Sequence, residues 1–285
     1  MDYEIKLNLL EQPKIDFKQL MKKHFVDISE ELKLPPVAIS IGETQKGDQT
    51  YPIPFGTYGN FSCIVGASKS RKTFLKSLLE ACYIGGNSTK YAEIIKGRLN
   101  QDKYVVSIDT EQGIWSAQQA FRRPVEMCGF PYEKYAPFAL REMDWKQRIE
   151  FIEYIFMESE YKDNLGLVTI DGAADLVPDV NDLERSNELL QKLMKWSTIS
   201  NCHIIVVLHK NFGTQKPTGN LGSAILKKAE TVAMVSVDEQ DKSISNVDFA
   251  YTRVFPIDPI SYSIDNDWLP YLIEDHMSNS NEIFK

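Results

Sequence analysis

The chain has 285 residues, 32 basic against 40 acidic side chains, a formal net charge of −8 and 43% hydrophobic residues. That is the balance of an ordinary globule with one large domain or a core with appendages. It disfavours a protein that coats duplex DNA non-specifically with its whole surface. No apolar run approaches the roughly 20 residues a membrane helix needs, and the N-terminal stretch MDYEIKLNLLEQPKIDFKQL has no apolar signal core, so cytoplasmic residence is the expectation.

The first 52 residues read as an N-terminal helical or linker appendage. Leu20, Met21, Phe25, Ile28 and Leu32 fall near helical spacing and predict a helix over 17–34, ended by Pro35-Pro36. VAISIG is a short strand, and GETQKGDQ reads as an exposed turn.

From Phe61 strands alternate with helices. FSCIVGA is a buried strand ending at glycine, followed by the helix KTFLKSLLEACYI. KYVVSIDT is a strand and DWKQRIEFIEYIFMES a helix. LGLVTIDG is a strand; NDLERSNELLQKLMKWSTIS is a helix capped by Asn181 or Asp182. CHIIVVLH is a strand and LGSAILKKA a short helix. TVAMVSVD, NVDFAYTRV and ISYSID then follow as strands in hairpin-like succession. The pattern predicts an α/β fold: a mostly parallel sheet covered by helices, with an antiparallel C-terminal extension. The core is expected over 53–275 and a loose tail over 276–285. The scattered cysteines Cys63, Cys82, Cys128 and Cys202 lack metal-site spacing, and Cys63 and Cys202 read as reduced core thiols.

The segment GASKSRKT joins a buried strand to a helix. In that context the loop amides and the helix N-terminus form a nest for phosphates. Gly66, Ala67, Ser68, Lys69, Ser70, Arg71, Lys72, Thr73 and Phe74 are the candidate nucleotide-binding residues. Lys72 would reach the β- and γ-phosphates and the Thr73 hydroxyl would hold Mg²⁺. The plain alternative is a solvated basic turn before a surface helix. Arg71 stands where such loops carry glycine, a residue chosen for torsions that other side chains resist.

Ligands of open α/β sheets bind at the carboxyl ends of strands. Four strand ends here carry polar groups: the loop at Gly66, Asp109-Thr110-Glu111, Asp171 and His209-Lys210. Asp171 is a candidate for Mg²⁺ through water, Glu111 for the base that orients attacking water, and His209 for sensing the γ-phosphate. Each also has a bland reading, as a turn cap, a surface acid or a strand-end histidine.

In order, PFGTYGNFSCIVGASKSRKTF, YVVSIDTEQG, LVTIDGAADL, IIVVLHKN and GNLGSAILKKAETVAMV resemble the RecA-like P-loop ATPase family, over about residues 53–273. The likeness is greatest to the RepA/DnaB-type hexameric helicase branch and its KaiC-like relatives, and mobile-element replication ATPases are the suggested kin. The resemblance implies ATP and Mg²⁺ as ligands, catalysis by Lys72, Glu111 and His209, and a homo-oligomeric ring or filament, a hexamer foremost. It also implies a trans-acting cation, for which Arg253 is the choice and Lys227 or Lys228 the fallback, and an appendage packed on a neighbouring subunit. Its DNA-facing loops correspond to 178–185 and 210–220. The second offers Lys210, Phe212 and Lys216 to single-stranded DNA; the first is acidic at Asp179, Asp182 and Glu184. Besides a DNA-acting ATPase, two readings stand: a KaiC-like regulatory or assembly ATPase with a protein partner, and a degenerate fold kept as a binding module.

Overall fold

The structure, a computed structural model, describes residues 15–31, 35–86, 91, 93–97, 103–210, 218–253 and 255–273. The expected tail at 276–285, and Phe212 and Lys216 of the second loop, lie outside the described residues. The chain divides into two units, Met1–Leu34 and Pro35–Lys285. The boundary expected after residue 52 falls inside a strand, Gln49–Thr57.

In the first unit, helix α1 (Phe17–His24) is capped by Asp16, whose carboxylate accepts from the amides of Lys18 and Gln19 at 3.0 and 3.1 Å. It is shorter than the helix predicted to Leu34. Phe25 is already extended (ψ 129°), and Asp27 takes the amide and hydroxyl of Ser29 at 2.9 and 2.6 Å. That local turn competes with helix propagation.

The second unit begins with β1 (Val37–Lys46), β2 (Gln49–Thr57) and β3 (Phe61–Gly66), then α2 (Lys72–Gly85) and β4 (Ile95–Gly97). It continues with β5 (Tyr104–Asp109), α3 (Ile114–Cys128), β6 (Tyr135–Ala139), α4 (Trp145–Met157) and β7 (Leu165–Asp171). A 3₁₀ turn at Ala173–Leu176 leads to α5 (Leu183–Ser200), β8 (His203–His209) and α6 (Gly219–Lys228). The last elements are β9 (Thr231–Val237), β10 (Ser245–Thr252), β11 (Ile260–Ile264) and β12 (Pro270–Leu272).

The main sheet has the order β12-β11-β10-β9-β3-β8-β7-β5-β6. The six strands from β9 to β6 run parallel; β10, β11 and β12 form the antiparallel extension. β3 and β7 are buried along their whole length, because helices cover both faces of a parallel sheet. Alternate residues go to opposite faces. Cys63, Val65, Val168, Ile170, Ile204 and Val206 meet α4 and α5 through Ile152, Phe156, Leu193 and Trp196. Ile64, Leu167, Ile205 and Val207 meet α2 through Leu75, Leu78 and Leu79. The rings of Phe156 and Trp196 stack at 5.1 Å. Burial pushes the Cys63 thiol up and that of Cys202 up to about 12, and the four cysteines stand outside disulfides.

The segment expected as an exposed turn, GETQKGDQ, is mostly strand: β1 runs to Lys46, only Gly47 and Asp48 turn, and Lys46 pairs with Gln49. Gly47 supplies the left-handed torsion (φ 62°) that a two-residue hairpin needs. β2, β1 and β4 form a second, antiparallel sheet that packs Ala38, Ile39, Phe55 and Ile95 into the α2 face. The hairpin is also fastened to the main sheet. Glu230 accepts from the Thr57 amide and hydroxyl at 2.8 and 2.9 Å, and His203 Nδ1 lies 3.0 Å from Thr57 O.

Helix α3 has no counterpart in the sequence reading. Its buried positions are only Ala117, Ala120, Phe121 and Pro124, a weak apolar stripe. Pro124 removes the bond that would satisfy the Ala120 carbonyl, which lies 3.4 Å from the Ser77 hydroxyl of α2. Among the described residues no helix is long and apolar enough to cross a membrane.

Candidate active site

The strand register aligns the residues singled out by the sequence. Gly66 pairs with His209, Asp109 with Asp171, and Asp171 with Val207. The carboxyl ends of β3, β8, β7 and β5 therefore form one edge. The loop 67–71 leaves that edge and α2 opens at Lys72.

Thr73 Oγ1 donates to Asp171 Oδ2 at 2.7 Å. Lys72 Nζ donates to the loop carbonyls of Gly66 (3.1 Å) and Ala67 (2.8 Å), and lies 3.2 Å from His209 Nδ1. His209 Nε2 is 3.0 Å from Glu111 Oε1. An ammonium can only donate, so the network assigns Nδ1 as acceptor and Nε2–H as donor to Glu111. Lys72, His209 and Glu111 thus form one chain across the edge.

Supporting contacts fix these groups. Asp109, 1% exposed, accepts from the amides of Glu111 (3.0 Å) and Gln112 (2.7 Å) and from the Gln112 side chain (2.6 Å). Thr110 Oγ1 lies 2.8 Å from Asp175 Oδ2. Gly172 (φ 101°) must be glycine, since a Cβ there would come within 2.0 Å of Thr110 Oγ1. Arg148 spans the carbonyls of Leu140, Asp175 and Thr110 at 3.0 to 3.2 Å. At Gly66 a Cβ would meet Ser70 Oγ at 2.4 Å and Val235 O at 2.6 Å, so the loop wraps tightly.

The electrostatics follow from burial and pairing. Burial pushes the Lys72 amine down, against the charges of Asp171 and Glu111. Burial pushes the Asp171 carboxyl up, against Lys76 and the Thr73 hydrogen bond. The His209 hydrogen bond holds Glu111 below the usual carboxylate range.

Arg71 departs from the expectation that it joins the nucleotide-binding set. Its backbone is left-handed (φ 70°, ψ 24°), a conformation costing a non-glycine residue about 1 kcal/mol or more. Its guanidinium turns away from the loop to the carbonyls of Lys242 and Ser243 and to Ser245 Oγ. Lys69 is left-handed too (φ 63°). Phe74 lies under the Arg123 guanidinium, 3.9 Å from its ring centroid. The pair lines a cavity of about 420 Å³ with Gln112, Trp115 and Trp268.

The segment expected as the first DNA-facing loop is held in place. Asp182 caps α5, Asp179 takes the Asn181 amide at 2.8 Å, and the Val180 and Asn181 carbonyls accept from Leu221 and Asn220 of α6. The base of the second loop is closed by Thr218, which donates twice to His209 O. Lys210 N bonds Gly66 O at 3.1 Å. Arg253 is exposed and its guanidinium donates to Lys228 O at 3.4 Å.

Sequence reasoning missed a buried network one pleat beneath the site. Lys76 and Glu80, both fully buried, pair at 3.3 Å. Lys76 also donates to Ser107 Oγ at 2.8 Å. Glu80 accepts from Tyr135 and Thr169. Ser107 and Thr169 stand two residues before Asp109 and Asp171, on the same faces of their strands. The signal was present: Lys76 and Glu80 are four apart and flank buried Leu75 and Leu79.

The donors fit a nucleotide with Mg²⁺. Ser70 Oγ is buried at the loop without a hydrogen-bond partner among the described residues, Lys72 rests on loop carbonyls that a phosphate would replace, and Thr73 and Asp171 supply the few oxygens that Mg²⁺ takes from protein. Among the described residues no group of three or more His, Cys, Asp and Glu side chains forms a metal cage.

A phosphate-type loop after the first strand of a parallel core, with polar groups at the adjacent strand ends, defines a RecA-like α/β fold. The structure of the RadB recombinase matches it with a TM-score of 0.52 at 16% identity, over 76% of this chain and 92% of that one. No family model matches the chain, and no curated protein does.

Proposed function

We propose that the protein is a RecA-fold ATPase that binds ATP with Mg²⁺ and acts on DNA in replication or transfer of a mobile element. One observation carries the reading: Thr73–Asp171 and Lys72–His209–Glu111 are joined at a single aligned strand edge. Lys72 would bind the terminal phosphates, exchanging loop carbonyls for phosphate oxygens. Glu111 orients and deprotonates the attacking water, and His209 reports the γ-phosphate to Glu111 and to the loop that Thr218 closes. Mg²⁺ would be held by Thr73 and, through water, by Asp171, and supplies charge neutralisation on the phosphates. The Phe74–Arg123 stack, with Trp115 and Trp268 beside it, offers a flat platform for the base. Arg253, exposed just past the end of β10, is the trans-acting cation of a ring or filament of this chain, with Lys227 and Lys228 as its fallback. The neighbour's name as a recombinase adds to the case for DNA.

The experiment is Mg²⁺-dependent ATP hydrolysis by purified protein, with and without single-stranded DNA at low salt. Stimulation by DNA supports the DNA-acting reading. Hydrolysis without stimulation or DNA binding favours a KaiC-like regulatory or assembly ATPase with a protein partner. The acidic segment 178–185, held by α6, is the observation behind that second reading.

A further inference from the structure

Arg71 is gripped from both ends by the C-terminal strands. Nη1 donates to Ser243 O at 2.9 Å and to Ser245 Oγ at 3.1 Å, and Nη2 donates to Lys242 O. Its own carbonyl accepts from Tyr262 Oη at 2.8 Å, and Tyr262 is fully buried on β11.

The turn that receives the guanidinium is itself braced. Asp238 takes the amides of Gln240 and Asp241, both at 2.9 Å. Asp241 takes the amide and hydroxyl of Ser243 at 2.8 and 2.6 Å. Ser243 O accepts a second bond from Ser263 Oγ at 3.0 Å, and Asn246 links Asp238 to Ser261. A charged donor with several acceptors on such a turn forms a stiff link. Between loop and turn lies a cleft of about 620 Å³, lined by Ala67 to Ser70 on one side and Val235 to Gln240 on the other.

We propose that Arg71 is a positioning residue for the nucleotide: a strut that ties the loop 66–71 to the β9–β10 turn and so forms the phosphate cradle before the ligand arrives. The proposal rests on reading the site as a nucleotide site. Glycine at this position would supply the left-handed torsion and nothing else. Arginine bears the torsional strain and adds the tether. Preorganisation of this kind strengthens binding by lowering the ordering cost, so it acts on ground-state affinity more than on the chemical step.

The two roles of Arg71 predict opposite signs for Arg71→Gly. Relief of strain alone would leave the loop as ordered as before and nucleotide binding equal or tighter. Loss of the strut loosens both. The test is hydrogen exchange of the amides of residues 66–71 in nucleotide-free protein, paired with calorimetric titration of Mg²⁺-ADP. Expected for Arg71→Gly are faster loop exchange and about tenfold weaker ADP binding, with KM for ATP rising in step and a smaller change in kcat. Tyr262→Phe, which frees the other end, shifts both readouts the same way by less, and Arg71→Lys recovers part of the affinity. Unchanged or slower exchange with unchanged or tighter binding overturns the proposal. If wild-type protein takes up no ADP while exchange still quickens in Arg71→Gly, the nucleotide reading fails and the positioning role with it, the tether alone surviving.

Discussion

The Thr73 hydroxyl donates a 2.7 Å hydrogen bond to the Asp171 carboxylate, joining the first turn of α2 to the end of β7. Nearly a hundred residues separate the two in sequence, and the parallel sheet brings them together. Substituting either group removes an oxygen proposed for Mg²⁺ while leaving the loop amides in place. Thr73→Val and Asp171→Asn are each expected to lower Mg²⁺-dependent hydrolysis by about 10²-fold or more, with ADP binding measured without Mg²⁺ changed far less. Steady-state kinetics and titration in parallel check this.

Glu111 is bonded to His209 and sits below the usual carboxylate range. As the water-orienting base it stays ionised as pH falls to the ordinary carboxylate range and loses its charge only below it. The part of the acid limb that Glu111→Gln removes should therefore lie below the ordinary carboxylate range. Glu111→Gln is expected to reduce kcat by about 10²- to 10⁴-fold with little change in nucleotide affinity. A variant with near-normal kcat removes Glu111 from the mechanism.

His203 is fully buried beside Thr57 and Gly56, and burial holds its imidazole down to about 4. Its folded value lies below the ordinary 6.5, so the unfolded chain binds the proton more readily. This contribution to stability is complete above pH 6.5 and is lost as pH falls toward 4. Its full size is on the order of 3 kcal/mol. Urea unfolding between pH 7 and about pH 4.5 should show this loss, and His203→Gln should flatten the slope.

Lys76 and Glu80 form a fully buried pair under the site. Removing one partner leaves an uncompensated charge, so Lys76→Met or Glu80→Leu alone should cost about 3–5 kcal/mol. The double variant should cost less than either single one. Denaturant midpoints of the four proteins measure this. Equal and additive losses would mean the pair is not coupled.

Much of the fold was legible because buried strands such as FSCIVG and GLVTI are largely apolar runs, and few other structures suit them. The polar strand ends were legible for the same reason: Asp109, Asp171 and His209 each close an apolar run. Helix α3 was not, because its buried stripe is two alanines, a phenylalanine and a proline, and the hydrophobic pattern is faint. The β1–β2 hairpin was hidden by its exposed, polar outer half, where pairing rather than burial makes the strand. Arg71 could not be read from local chemistry at all. Its contacts are set by a turn more than 170 residues away, and backbone carbonyls on that turn give no periodic signal. For Glu80 the spacing to Lys76 was visible, but its partners Tyr135 and Thr169 come from β6 and β7 and were not.

Everything proposed for the site depends on the β3–α2 loop binding nucleotide phosphate through Lys72. Calorimetric titration of Mg²⁺-ADP into wild-type protein and into Lys72→Ala tests it most directly. A saturable one-site isotherm is expected for wild type, lost or weakened at least about 100-fold in the variant. No heat for wild-type protein, or equal affinity in the two, would contradict it.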